Sequence, residues 1–252
     1  MKIFIASTGR CGTLFATEIF NLLTDIPAYH EPRPECIGKV VEEINSHVKY
    51  SKATLQILNE KIDQIKGDSI RGKYMESNQM FVKCYADVVL NNFKDVYCIY
   101  LYRNPIAVLL SYAVKCQNHE SGWFLRSHWP KNILQTEQKL GFYENCLWQW
   151  LEVRERYYSL KPKFKKTYEF DFRKINDLAE WYRLFRHFRI KARKVNRLPN
   201  LKRNPTFCDR YKTLDMVMDE NDMATLPKKL RDMRGLWDYI NLAKEVTERA
   251  DY

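Results

Sequence analysis

Apolar and polar positions along the chain fall into two alternating regimes, short dense apolar runs and longer stretches with helical spacing. Lys2-Ile3-Phe4-Ile5-Ala6 is mostly apolar and rich in β-branching, the form of a buried parallel strand. Ser7 to Gly12 breaks the run with two glycines and small polar residues, a turn composition, and Leu14, Ile19, Leu22 and Leu23 then recur at helical spacing to about Thr24. Strand, tight loop and helix are predicted. Tyr29 to Glu35 is polar and stiffened by prolines, so it reads as loop or extended chain. Lys39 to Ile65 predicts one or two amphipathic helices, Lys73 to Asn78 a short strand ending in polar residues, and Met80 to Asn92 a helix.

Asp95 to Tyr102 is the strongest strand signal, and it runs straight into Arg103-Asn104-Pro105. Proline in a first helical turn opens the next helix, which carries Ile106, Val108, Leu109, Leu110 and Tyr112. Gln117 to Asn132 is polar and aromatic without a period, the look of a long loop or lid. Beyond it, Phe142 to Tyr158 reads as helix, Lys166 to Phe172 as strand and Ile175 to Phe188 as helix. Arg189 to Lys212 is a basic, proline-containing strap, and Lys228 to Tyr252 ends in an amphipathic helix. Strands alternating with helices predict an α/β fold of three layers, a central mostly parallel sheet flanked by helices. With no internal repeat, low-complexity tract or linker, a single domain over 1–252 is the expectation.

Composition adds exclusions. The chain of 252 residues can hold a full core, and no run is long enough to span a bilayer. Its apolar start is too short for a signal peptide, so the expected compartment is the cytoplasm. Seven cysteines, odd in number, scattered and never in a C-x-x-C pair, together with five histidines at no ligand spacing, argue for reduced thiols and against a metal site. The charge is uneven: Arg154 to Lys212 carries nineteen Lys and Arg against six Asp and Glu, a larger excess than the net +11 of the whole chain. An anionic partner is implied, of a kind that charge alone does not choose.

The first loop is built for an anion. A strand-to-helix turn aims backbone N–H groups and a positive helix end at one point. Gly9 and Gly12 permit close approach, Thr13 offers a hydroxyl and Arg10 a permanent forked cation. The loop is not a nucleotide triphosphatase loop, since no lysine follows Gly12, nor does it fit G-x-G-x-x-G. An ordinary βα turn with two structural glycines is the competing reading. Ligands of open parallel sheets sit beyond the carboxyl ends of strands, so Arg103 is expected to face the same crevice, with Ser111 eight residues later in the following helix.

Taken together, Ser7-Thr8-Gly9-Arg10-Cys11-Gly12-Thr13 resembles the 5′-phosphosulfate loop of the sulfotransferases that use 3′-phosphoadenosine 5′-phosphosulfate (PAPS). Leu101-Tyr102-Arg103-Asn104-Pro105 through Ser111 resembles their 3′-phosphate motif, and Tyr168 to Phe172 is similar to their later strand. Cys11, Asn104 and Arg10 stand where the family often has serine, aspartate and lysine. The resemblance implies a P-loop-type sulfotransferase domain in which Thr8, Gly9, Arg10, Cys11, Gly12 and Thr13 hold the 5′-phosphate and sulfuryl group, Arg10 stabilising the bridging oxygen. It also implies that Arg103 and Ser111 grip the 3′-phosphate and that Phe15 packs on adenine, with Lys202 and Arg203 as a basic loop folded over the 3′-phosphate.

Sulfuryl transfer to a hydroxyl or amine needs in-line approach, charge neutralisation on the leaving phosphate and a proton acceptor, and no metal is implied. Three residues are candidates for that base: Glu31, which follows Arg10 by 21 positions in a polar loop, His30 beside it, and Glu76 at the end of a predicted strand. The expected partner is a small-molecule, lipid or carbohydrate acceptor rather than nucleic acid, and the sequence does not name it. A nucleotide-dependent kinase or other phosphotransferase, and a polyanion-binding protein without enzymatic activity, are the competing functions.

Overall fold

A computed structural model describes residues 1–46, 50–105, 107, 108, 111, 112 and 142–198. The predicted segment 117–132, Lys202, Arg203 and the tail from Lys228 lie outside the described residues. Among the described residues, five parallel strands form one sheet in the order β2-β3-β1-β4-β5: β1 Lys2–Ala6, β2 Ala28–His30, β3 Tyr74–Ser77, β4 Val96–Tyr102 and β5 Lys166–Asp171. The chain leaves β1 toward one edge and later crosses back over β1 to β4 and β5. Connections from the adjacent β1 and β4 therefore diverge, the reversal at which open parallel sheets bind ligands.

Strand period two sends alternate residues to opposite faces. On one face Phe4, Tyr74, Cys98 and Tyr100 meet α2 (Lys39–Ser46), α3 (Lys52–Gly67), α4 (Ala86–Asn92) and the end of α5 (Phe142–Leu160) through Val41, Ile62, Val89 and Tyr157. The stacked pairs Phe4–Phe81 and Tyr100–Tyr157, with ring centroids 4.4 and 4.5 Å apart, lie in this layer. On the other face α1 (Thr13–Leu23) and α6 (Leu178–Phe188) close over Ile3, Ile5 and Tyr97, with Phe20 edge-on to Phe185 and Tyr97 edge-on to Phe188. Each such fully buried side chain stabilises by about 1.5–3 kcal/mol.

The α/β sheet flanked by helices is as expected; three details differ. Tyr29 and His30, which open the segment expected as loop or extended chain, form with Ala28 an edge strand on β3, too short for alternation to show. The stripe of α1 that is buried runs Ala16, Thr17, Ile19, Phe20 and Leu23, whereas Leu14 and Leu22 face outward. The segment expected as one helix from Met80 opens with a π-helical turn, Phe81–Tyr85, whose five residues are all buried. Among the described residues, Met1–Tyr102 and those from Val153 on form one compact unit, and those from Arg103 to Glu152 belong to a second. No helix among the described residues is long and apolar enough to cross a membrane.

Candidate functional site

The loop after β1 is shaped by left-handed backbone. Gly9, Arg10 and Gly12 have φ of 90°, 57° and 81°. Ser7, fully buried, accepts the Gly9 N–H at its Oγ (3.1 Å), and the Cys11 thiol donates to the Gly9 carbonyl (3.1 Å) beside the Thr8 hydroxyl. Cys11 thus braces the loop with its side chain from within. Gly12 is needed twice over: its φ disfavours any side chain, and a Cβ there would stand 2.3 Å from Ile175 Cδ1 and 3.1 Å from Phe172 Cε2.

Gly12 is also the N-cap of α1 and brings no capping side chain. The first-turn amides at Thr13, Leu14 and Phe15 therefore lack the side-chain acceptor that usually satisfies such groups, which suits them to an anion. The loop fits a phosphate or sulfuryl group on this ground. Phe15 is half-buried one position beyond Leu14, which is exposed.

Around the loop the sheet ends converge. The Thr17 hydroxyl donates to the Thr13 carbonyl (3.1 Å) and lies 2.7 Å from Ser77 Oγ, which in turn lies 2.8 Å from His30 Nδ1. Glu31 follows with φ 46°, exposed, its N–H donating to the Ser77 carbonyl at 3.0 Å. His30 and Glu31 are thereby tied to the carboxyl end of β3, next to the first turn of α1.

Glu76 has a different environment. Its carboxylate accepts from Tyr74 and Tyr85 at 2.6 Å each, from Asn78 at 3.1 Å and from the Lys61 ammonium at 2.8 Å, with no exposed surface. Burial and the neighbouring carboxylate push both phenols up, so they stay protonated donors to Glu76. Lys61 also donates to the Pro32 carbonyl (3.2 Å), fastening the segment after Glu31 to this cluster.

One residue that the sequence reading did not single out belongs here. Lys83, in the π turn after β3, is 1% exposed, and its Nζ lies 3.4 Å from the Thr8 carbonyl oxygen. Burial, reinforced by Arg156, pushes its pKa down to about 7, while Glu31 and Cys11 act in the opposite sense. The sequence signal was a lysine inside the apolar run Phe81-Val82-Lys83-Cys84-Tyr85. π turns recur at functional positions because they displace side chains that an α-helix would send outward.

In the second unit, Arg103, Asn104 and Ser111 are all buried. The Trp150 indole donates to the Arg103 carbonyl (2.9 Å), and the Val108 N–H to the Asn104 carbonyl (3.0 Å), which starts a helix that includes Pro105, Ser111 and Tyr112. Among the described residues no group of three or more His, Cys, Asp or Glu could hold a metal ion.

The sequence profile described as "Sulfotransferase domain" matches residues 1–165. No curated protein matches the sequence. Among solved structures, the sulfotransferase domain of the Synechococcus PCC 7002 olefin synthase is similar, at 10% identity and a TM-score of 0.46, over 98% of this chain and 94% of that one.

Proposed function

Because the chain belongs to the sulfotransferase domain family, we propose that it moves the sulfuryl group of PAPS to a hydroxyl or amine of a small-molecule, lipid or carbohydrate acceptor. The observation that carries this reading is the loop from Ser7 to Thr13, with three left-handed residues leading into a helix whose first turn has no side-chain cap.

In this reading the loop from Thr8 to Thr13 holds the 5′-phosphate and sulfuryl group. The acceptor oxygen or nitrogen attacks sulfur in line, the bond from sulfur to the bridging oxygen breaks, and adenosine 3′,5′-bisphosphate leaves with that oxygen. Arg10 neutralises the charge that develops there, a task that positioned donors perform without a metal. Arg103 and Ser111 take the 3′-phosphate, Phe15 packs on adenine, and Lys202 and Arg203 supply further positive charge for the 3′-phosphate. The acceptor's proton passes to His30 or Glu31. Glu76, its oxygens already engaged by four donors, is assigned to holding the sheet end rather than to proton transfer.

Transfer of labelled sulfate from PAPS to phenolic, sugar and lipid acceptors tests the proposal. Arg10→Ala should lower turnover by roughly 10²–10³-fold, the effect of removing one donor aimed at developing charge. Full turnover in that variant, or tighter binding of ATP with magnesium than of adenosine 3′,5′-bisphosphate, would overturn the assignment.

A further inference from the structure

The three hydroxyl and imidazole contacts at the end of β3 run in one direction. A hydroxyl carries a single proton, and a carbonyl only accepts. Thr17 gives its proton to the Thr13 carbonyl at 3.1 Å. In the 2.7 Å contact between Thr17 and Ser77, the donor is then the Ser77 hydroxyl. With that proton committed, the 2.8 Å contact to His30 requires Nδ1 to be the donor. Every proton in the chain points from His30 toward the first turn of α1.

The consequence lies on the far side of the ring. In a neutral imidazole one nitrogen carries the proton and the other a lone pair, and the hydrogen bond made by one decides which. We infer that Ser77 and Thr17 are positioning residues that hold neutral His30 with its proton on Nδ1, so that Nε2 is the atom that takes the acceptor's proton. When Nε2 is protonated the Nδ1–H bond to Ser77 persists, so the chain needs no reorientation during the transfer. Ser77 is fully buried and Thr17 nearly so, whereas His30 is half-buried, which leaves the fixed end of the relay dry and the ring at the surface.

The relay also links the two halves of the chemistry. Thr13 opens the helix that receives the sulfuryl donor, and the same residue's carbonyl terminates the hydrogen bonds that orient the base. A displaced α1 would thus unseat the ring as well as the donor loop.

The inference rests on the sulfotransferase reading, and its test separates the two. Nitrogen-15 NMR of the full chain, with the His30 signals assigned by their loss in His30→Asn, should show a protonated Nδ1 and an unprotonated Nε2 in the neutral ring. In steady-state assays Ser77→Ala and the isosteric Thr17→Val should lower kcat about tenfold, part of the 10²–10⁴ that general-base catalysis contributes, with KM for PAPS little changed. Thr17→Ser, which keeps the hydroxyl, should be at least fivefold faster than Thr17→Val. A neutral ring protonated on Nε2 beside normal sulfate transfer would overturn this inference and leave the proposed function standing. No transfer by the unmodified protein would overturn both.

Discussion

The Lys83 ammonium nitrogen lies 3.4 Å from the carbonyl oxygen of Thr8, at the base of the loop after β1 and almost wholly removed from solvent. Burial brings its pKa from the ordinary 10.5 to about 7, so near neutrality this site hovers between charged and neutral. Between those two values the unfolded chain holds a proton that the folded one does not, and folding stability therefore rises with pH across the window. The burial penalty is present in full below pH 7. Urea unfolding should show a gain of roughly 2 kcal/mol from pH 7 to 9 that is missing in Lys83→Met. A dianion at the loop raises Lys83's affinity for its proton, so binding of adenosine 3′,5′-bisphosphate should weaken over the same interval. Calorimetry in two buffers of different ionisation enthalpy should report proton uptake in the natural protein and none in Lys83→Met.

Gly12→Ala meets both a left-handed φ and the side chain of Ile175. Conformational strain of about 1–2 kcal/mol and overpacking of about 1–3 kcal/mol combine, and the loop is displaced where it should hold the donor. Thermal unfolding should register the loss. Gly38→Ala has a positive φ but nothing within 4 Å of its new Cβ, so it should show the conformational part alone.

Arg103→Ala tests the assignment of the 3′-phosphate. Loss of a hydrogen bond to a charged group costs about 1.5–3 kcal/mol, which is roughly 10- to 150-fold in affinity. The preference for adenosine 3′,5′-bisphosphate over adenosine 5′-monophosphate should collapse by that factor. Taking the ratio removes any general effect of the substitution on folding.

Lys61→Met leaves the Glu76 carboxylate buried without its cation. Breaking such a pair from one side costs about 3–5 kcal/mol, and the unfolding temperature should fall by roughly 10 °C. Glu76→Gln should also destabilise, with turnover per folded molecule retained. A stable, inactive Glu76→Gln would return Glu76 to the chemistry.

The parts legible in the sequence were those whose signal is local. The apolar run from Lys2 to Ala6 with its glycine turn, the dense strand before Arg103 and the helix ending at Phe188 carry their own period or punctuation. β2 was missed because three residues show no alternation, and its status depends on Ser77 and Met75 lying alongside. Glu76 looked available because nothing near it in sequence announces that Lys61, from α3, arrives on the same face of β3. Thr17, Ser77 and His30 come from three elements, so only the parallel crossovers bring them within hydrogen-bond reach. Lys83 was concealed by the expectation of a regular helix, which a π turn violates.

Phe172 and Ile175 follow β5, yet they form the wall against which Gly12 is pressed. The loop after β1 therefore waits for residues made some 160 positions later before its shape is fixed. A nascent chain stopped short of Phe172 would carry every residue from Ser7 to Thr13 and lack the surface that holds that loop in register.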